Sequence, residues 1–204
     1  MKGENKMKLI PEQIDWYLNQ IKSGEGLAKR ASEAQKELSR VERYRSTSSG
    51  DQDCATAAEQ TLYEQAIYYD HQTGEYKNAL ANVSLPKPDV NSDVAEIGSY
   101  VTVVDTISYD GQVTTRTQDI LLIEGELGNR SALDIKCASD SSAMGKALLG
   151  AWPGEVVEFK VKVKNSVRTH SCEVVAVDNN YIYQRYAEHY DKDTLDLDGQ
   201  SFLR

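Results

Sequence analysis

The spacing of apolar residues changes period once along this chain, and the change falls at a pair of prolines. Before Pro86 and Pro88 apolar side chains recur every three or four positions; after Gly98 they alternate. A helix-period pattern and a strand-period pattern written one after the other predict an α+β protein with its helices and its sheet segregated. Pro11, followed by Glu12 and Gln13, reads as a helix start. Ile14, Leu18 and Ile21, then Ala31, Ala34, Leu38 and Val41, carry a helix to about Arg45. Gly24 and Gly26 interrupt that stripe and predict a kink, or a restart at Leu27. Residues 46–53 (STSSGDQD) have turn chemistry and no apolar side chain. Leu62, Ala66, Tyr69, Thr73, Tyr76, Leu80 and Val83 then step by four and three, a heptad-like seam. Neither stripe is wide enough to stand alone, so the two helices are expected to pack on each other. Residues 1–85 therefore read as an antiparallel helical coiled-coil hairpin with its tip near 46–56. Helix over 55–83 would run ~40 Å.

Beyond the prolines, residues 90–178 read as a compact antiparallel β domain. Strands are expected over 100–107, 120–123, 133–137, 156–163 and 172–177, with a hairpin turn at Asp110-Gly111. Residues 142–149, closed by Gly150, predict one brief helix. Residues 179–204 are acidic and carry tyrosines, and are expected to form an appended helix or a loosely held tail. The aspartates at 191, 193, 196 and 198 lack the spacing and terminal glutamate of a calcium loop.

Charge and cysteine narrow the function classes. The formal net charge is -9, which argues against nonspecific duplex binding, where Lys and Arg must neutralise phosphates. One basic run stands out: Lys29, Arg30, Lys36, Arg40, Arg43 and Arg45 against Glu33, Glu37 and Glu42. Lys36, Arg40 and Arg43 recur at one helical face leading to the tip; a solvated face with i,i+4 pairs is the alternative. Cys54, Cys137 and Cys172 are widely spaced with no CxxC, and His71, His170 and His189 complete no metal-ligand pattern with them. They read as free thiols of a reducing cytoplasm. No run of about 18 apolar residues occurs, and the first residues carry no apolar leader, so no membrane association is expected.

Two stretches resemble a known family. Residues 142–150 (SAMGKALLG), followed by Gly154-Glu155-Val156-Val157, are similar to the C-terminal signature of the bacterial Gre transcript-cleavage factors, S-P-L-G-[RK]-A-L-L-G then G-D-x-V. Ala143 stands for the usual proline and Met144 for the leucine. Gly98 to Val103 (GSYVTV) resembles the G-x-x-V-T-V strand that opens the same domain. The resemblance implies an FKBP-like C-terminal domain, docked on the rim of the RNA polymerase secondary channel, with Ser142, Met144, Lys146, Leu148, Leu149 and Gly150 as the docking residues. It implies that the hairpin enters the channel as a transcription elongation factor and stimulates cleavage of backtracked RNA. Asp51, in the Gly50-Asp51 pair, and Asp53 are then the tip acids that help hold Mg²⁺ at the polymerase active centre. Hard Mg²⁺ prefers carboxylate oxygens, and two-metal hydrolysis needs its second ion held. Lys36, Arg40 and Arg43 would face the nascent RNA 3′ segment. The chain would act as a monomer and would be no enzyme itself, the bond-breaking centre being the polymerase's. Three residues after Asp51, where the family places glutamate, this sequence has Cys54. Thiolate is a soft ligand.

Three other readings stay open. One is a secondary-channel regulator that does not stimulate cleavage. The second is a prolyl isomerase of the FKBP type, whose pocket needs aromatic walls. Between Gly98 and Val177 only Tyr100, Tyr109, Trp152 and Phe159 are aromatic. The last is a coiled-coil adaptor.

Overall fold

A computed structural model describes residues 6–45, 49–81, 83–125, 134–164 and 166–190, with side chains given outside 41–56. The chain divides into two compact units, the helical pair Asp15–Ala81 and a β unit that also takes in the chain before Asp15. No helix among the described residues is long and apolar enough to cross a membrane.

The helical unit consists of α1 (Pro11–Arg45) from Asp15 onward and α2 (Ser49–Ala81). Its seam follows the predicted spacing as far as Leu80: Leu62, Ala66, Tyr69, Tyr76 and Leu80 are half-buried and Thr73 is buried, as are Ile21 and Ala31 of α1. Val83, the last position of the predicted seam, lies instead in a strand of the β unit. Trp16, Tyr17 and Tyr76 meet edge to face, with centroids 5.0–5.8 Å apart. Ser39 bonds Glu59, and Lys77 pairs with Glu25 at 2.8 Å. Two expectations are corrected here. Helix α1 does not restart at Leu27 but runs unbroken through Gly24 and Gly26. The reason is contact: a Cβ at Gly24 would overlap the Thr73 hydroxyl, which is itself tied to the Tyr69 carbonyl at 2.6 Å. Gly24 is therefore a place of close helix approach and no breaker. Helix α2 also begins earlier than the turn composition predicts, at Ser49, so positions 50–53 are helical.

The β unit is built on a five-stranded sheet of order β5-β4-β3-β7-β6. Its strands are β3 (Tyr100–Tyr109), β4 (Gln112–Ile123), β5 (Lys136–Ser139), β6 (Val156–Val163) and β7 (Ser166–Asp178). Asp110 and Gly111 both take positive φ, 49° and 77°, the two-residue hairpin that Asp-Gly favours. The sheet is mixed where an antiparallel one is expected. Strand β5 runs parallel to β4, pairing Ile120 with Lys136 through Ile123 with Ser139. The long connection between them allows it, since parallel neighbours need a crossover of a dozen or so residues. A small parallel pair, β1 (Met7–Lys8) with β2 (Val83–Ser84), ties the two chain segments that enter this unit.

One sheet face carries Val101, Val103, Ile120, Leu122 and Val174, covered by the short helix α3, Ala143–Leu148. The other carries Leu121 and Ile123, covered by Ile10, Ile182 and Tyr186. Residues 181–190, which composition left between an appended helix and a loose tail, form α4 (Tyr181–Arg185) and α5 (Ala187–Tyr190). Their tyrosines bury rings and spend hydroxyls on fixed acceptors: Tyr183 on the Pro88 carbonyl at 3.0 Å, Tyr186 on Glu12 at 2.6 Å, and Tyr190 on the Pro86 carbonyl. Residues 191–204 lie outside the described part.

Gly24→Ala is expected to destabilise the chain by about 1–3 kcal/mol, because overpacking at the Thr73 contact outweighs alanine's helix preference. Gly26→Ala, with nothing within 4 Å of its Cβ position, is expected to stabilise by about 0.5–1 kcal/mol. Urea denaturation of the two variants, read by helix circular dichroism, checks the opposite signs.

Candidate functional site

The candidate residues fall in three places: the N-terminal end of α2, the exposed side of α1, and the corner around α3.

At the first, Asp51, Asp53 and Cys54 all lie in the opening turns of α2, on helical backbone. Positions 51 and 54, three apart, share a face, whereas positions 51 and 53 are about 200° apart around the axis. Their side chains belong to 41–56, outside the described ones. On α1, Lys36 and Arg40 are exposed, and neither forms an ion pair among the described residues; the side chain of Arg43 lies outside them. Lys29 does pair with Glu33, at 4.0 Å, as helical spacing allows.

The corner around α3 accounts for the SAMGKALLG letters one by one. Ser142 is the N-cap: its hydroxyl accepts from the Gly145 amide at 3.0 Å and donates to the Ser139 carbonyl at 2.7 Å. Gly145 is required because a Cβ there would coincide with the Ser139 carbonyl oxygen. Leu148 is fully buried in the core, with Met144, Ala147 and Leu149 packed beside it. The Leu149 amide closes the helix on the Gly145 carbonyl, and Gly150 turns the chain at φ 84°. The Gly150 amide then meets the Ala95 carbonyl, and the Ala95 amide the Ala151 carbonyl, both at 2.8 Å. Ser142, Leu148 and Gly150 thus serve the fold. Of the sequence-selected docking residues, Lys146 and Gly150 are exposed, Ser142, Met144 and Leu149 are half-buried, and Leu148 is buried.

Beside this corner the structure brings together a polar cluster absent from the sequence reading. Asp105 of β3 is completely buried. Its carboxylate accepts from His170 Nδ1 at 2.9 Å, Gln118 Nε2 at 2.7 Å, Arg116 Nε and Nη2 at 3.3 and 3.2 Å, and the Cys172 thiol at 3.4 Å. Burial alone would raise its pKa, but the bonds from His170, Arg116 and Cys172 hold it below the usual aspartate value. Cys172 is pushed up to about 12 by burial and by that carboxylate, and Cys137 to about 11 by burial; neither is a thiolate near neutral pH. One signal for this cluster was in the sequence. Val101, Val103 and Asp105 are alternate positions of one strand, so an acid occupies the third inward site of an apolar face. Among the described residues no group of three or more His, Cys, Asp or Glu could hold a metal ion.

No family model matches the chain, and no curated protein matches it by sequence. Solved structures do. A GreA factor homolog 1 (Gfh1) of Thermus thermophilus is 16% identical over 85% of this chain and 99% of its own, with a TM-score of 0.34. Gfh1 of Thermus aquaticus is 16% identical over 86% and 99%, with a TM-score of 0.32. The trigger factor chaperone is 18% identical over 54% of this chain and 30% of its own, with a TM-score of 0.31. Superpositions this loose leave function to be argued from the residues.

Because the Asp105 pKa is depressed in the folded chain, its contribution to stability is complete above the unfolded value of about 4 and fades as pH falls through the folded value. Asp105→Asn is expected to cost about 3 kcal/mol at neutral pH, with the deficit shrinking in strong acid. Urea titrations of both proteins at neutral and acid pH check this; an equal deficit at both would refute the ionised, hydrogen-bonded carboxylate.

Proposed function

We propose that this chain is a Gre-like transcription factor that binds RNA polymerase, enters its secondary channel with the helical hairpin and stimulates cleavage of backtracked RNA. The observation that carries the reading is the α3 corner. The family-like letters Ser142, Gly145, Leu148 and Gly150 meet a cap, a carbonyl contact, a core site and a positive-φ turn, so they act together as a built element. A helical hairpin and a β domain in one chain agree with it.

In this reading the polymerase performs the hydrolysis and the chain supplies groups. The α3 corner docks, offering Met144 and Lys146. Lys36, Arg40 and Arg43 face the anionic RNA 3′ segment. Asp51, with Asp53, helps hold the Mg²⁺ that the polymerase uses to activate water and stabilise the leaving oxygen. A second reading, occupancy of the channel without cleavage, is favoured by Cys54. That position shares a helical face with Asp51, whereas position 53 does not; a thiol on that face is a poor Mg²⁺ ligand.

Added with Mg²⁺ to stalled elongation complexes, the purified chain is expected to shorten their RNA, and Asp51→Asn to slow this about 100-fold. Gel analysis of transcript lengths reads both. If polymerase is bound and the RNA keeps its length, with effects on initiation indifferent to Asp51→Asn, the second reading replaces the first.

A further inference from the structure

The polar cluster under Asp105 opens on a cleft of about 870 Å³, a size that suits a small-molecule ligand. Its described lining combines an apolar floor, including Met144, Phe159 and Val161, with Arg116, Lys136 and His170, and contains no Asp or Glu. Asp105, the carboxylate behind it, already accepts five hydrogen bonds, two of them from Arg116. Arg116 spends Nε and Nη2 on Asp105, which fixes its guanidinium and leaves Nη1 unpartnered among the described residues. Among the described residues the Lys136 ammonium meets only the neutral Gln118 amide oxygen. Burial and the neighbouring Arg116 both hold its pKa below the ordinary lysine value, with Asp105 offsetting them in part. A second anion would relieve that field. His170 is 7% exposed and stacks on Phe159 at 4.7 Å. Its Nδ1 is bound to Asp105, and no partner for Nε2 occurs among the described residues; buried polar groups are rarely left so.

We propose that this cleft binds a small organic anion, its carboxylate or phosphate received by Lys136 and Arg116 and its apolar body resting on Met144, Phe159 and Val161. Arg116 acts from a position that Asp105 has already fixed, so little side-chain entropy is lost on binding. His170 Nε2 can exchange a hydrogen bond with the same ligand, accepting when the ring is neutral and donating when it is protonated. The apolar floor favours such a molecule over a bare phosphate or a nucleic-acid backbone. This inference stands apart from the polymerase reading, because the free chain alone is its subject.

The test is a nuclear magnetic resonance titration of the full chain, following the Met144 methyl and the Lys136 amide, with phenylacetate, phenyl phosphate, inorganic phosphate and benzyl alcohol. Saturable shifts with phenylacetate or phenyl phosphate are expected, and the tighter of the two identifies the head group. Benzyl alcohol, lacking the charge, and inorganic phosphate, lacking the ring, are each expected to bind at least about tenfold more weakly. Lys136→Met should weaken the anion about tenfold, while Lys160→Met, on the opposite face of the sheet, should leave it unchanged. Absence of saturable shifts at these two residues overturns the proposal. So does benzyl alcohol or inorganic phosphate binding as tightly as the aryl anions, or indifference to Lys136→Met.

Discussion

A strand buried on both faces has to be covered twice, and much of the β unit follows from that requirement. Ile120, Leu121, Leu122 and Ile123 are all buried, although alternate side chains of a strand point to opposite faces. Each contributes about 1.5–3 kcal/mol only if water is excluded from its own side. The α3 corner supplies one cover, over Ile120 and Leu122. The segment 181–190, with Ile10, supplies the other, over Leu121 and Ile123. The same second cover accounts for five of the twelve tyrosines, Tyr100, Tyr181, Tyr183, Tyr186 and Tyr190. Rings at this boundary must end at backbone carbonyls and Glu12, and a phenolic hydroxyl satisfies those acceptors where a phenyl edge would leave them unpaired.

Legibility tracked how local each determinant is. The change of period at Pro86 and Pro88, the heptad seam of α2, the Asp110-Gly111 hairpin and the capped helix after Ser142 depend on neighbours in sequence, and they appear where their patterns put them. Gly24 was misread because propensity describes an isolated helix, whereas its partner Thr73 lies on another one. The parallel placement of β5 was hidden because strand patterns carry no direction. The tail composition concealed the covers in α4 and α5: acidic residues dominate the count after 178, while the packing is done by Ile182 and the tyrosines. ILLI, with no polar position, already asked for a cover on each side. Asp105 was legible only as a misfit, an acid at an inward position whose partners come from β4 and β7.

The α3 corner bears on what a motif resemblance can mean. Ser142, Gly145, Leu148 and Gly150 are held by a cap bond, a carbonyl contact, full burial and a left-handed turn, all internal to the unit. The letters that agree with the family therefore secure the platform. Of the nine residues 142–150, Ala143, Lys146 and Gly150 are exposed and Ser142, Met144, Ala147 and Leu149 are half-buried; Ala143 and Met144 are where the sequence departs from the family letters. Ala143, the first residue of the helix, leaves φ freer there than a proline would, and Met144 is unbranched and adaptable. The buried Gly145 and Leu148 keep this corner in place on the sheet. In the nearby Asp105 cluster the carboxylate is internal and satisfied, and it fixes an arginine whose Nη1 has no partner among the described residues.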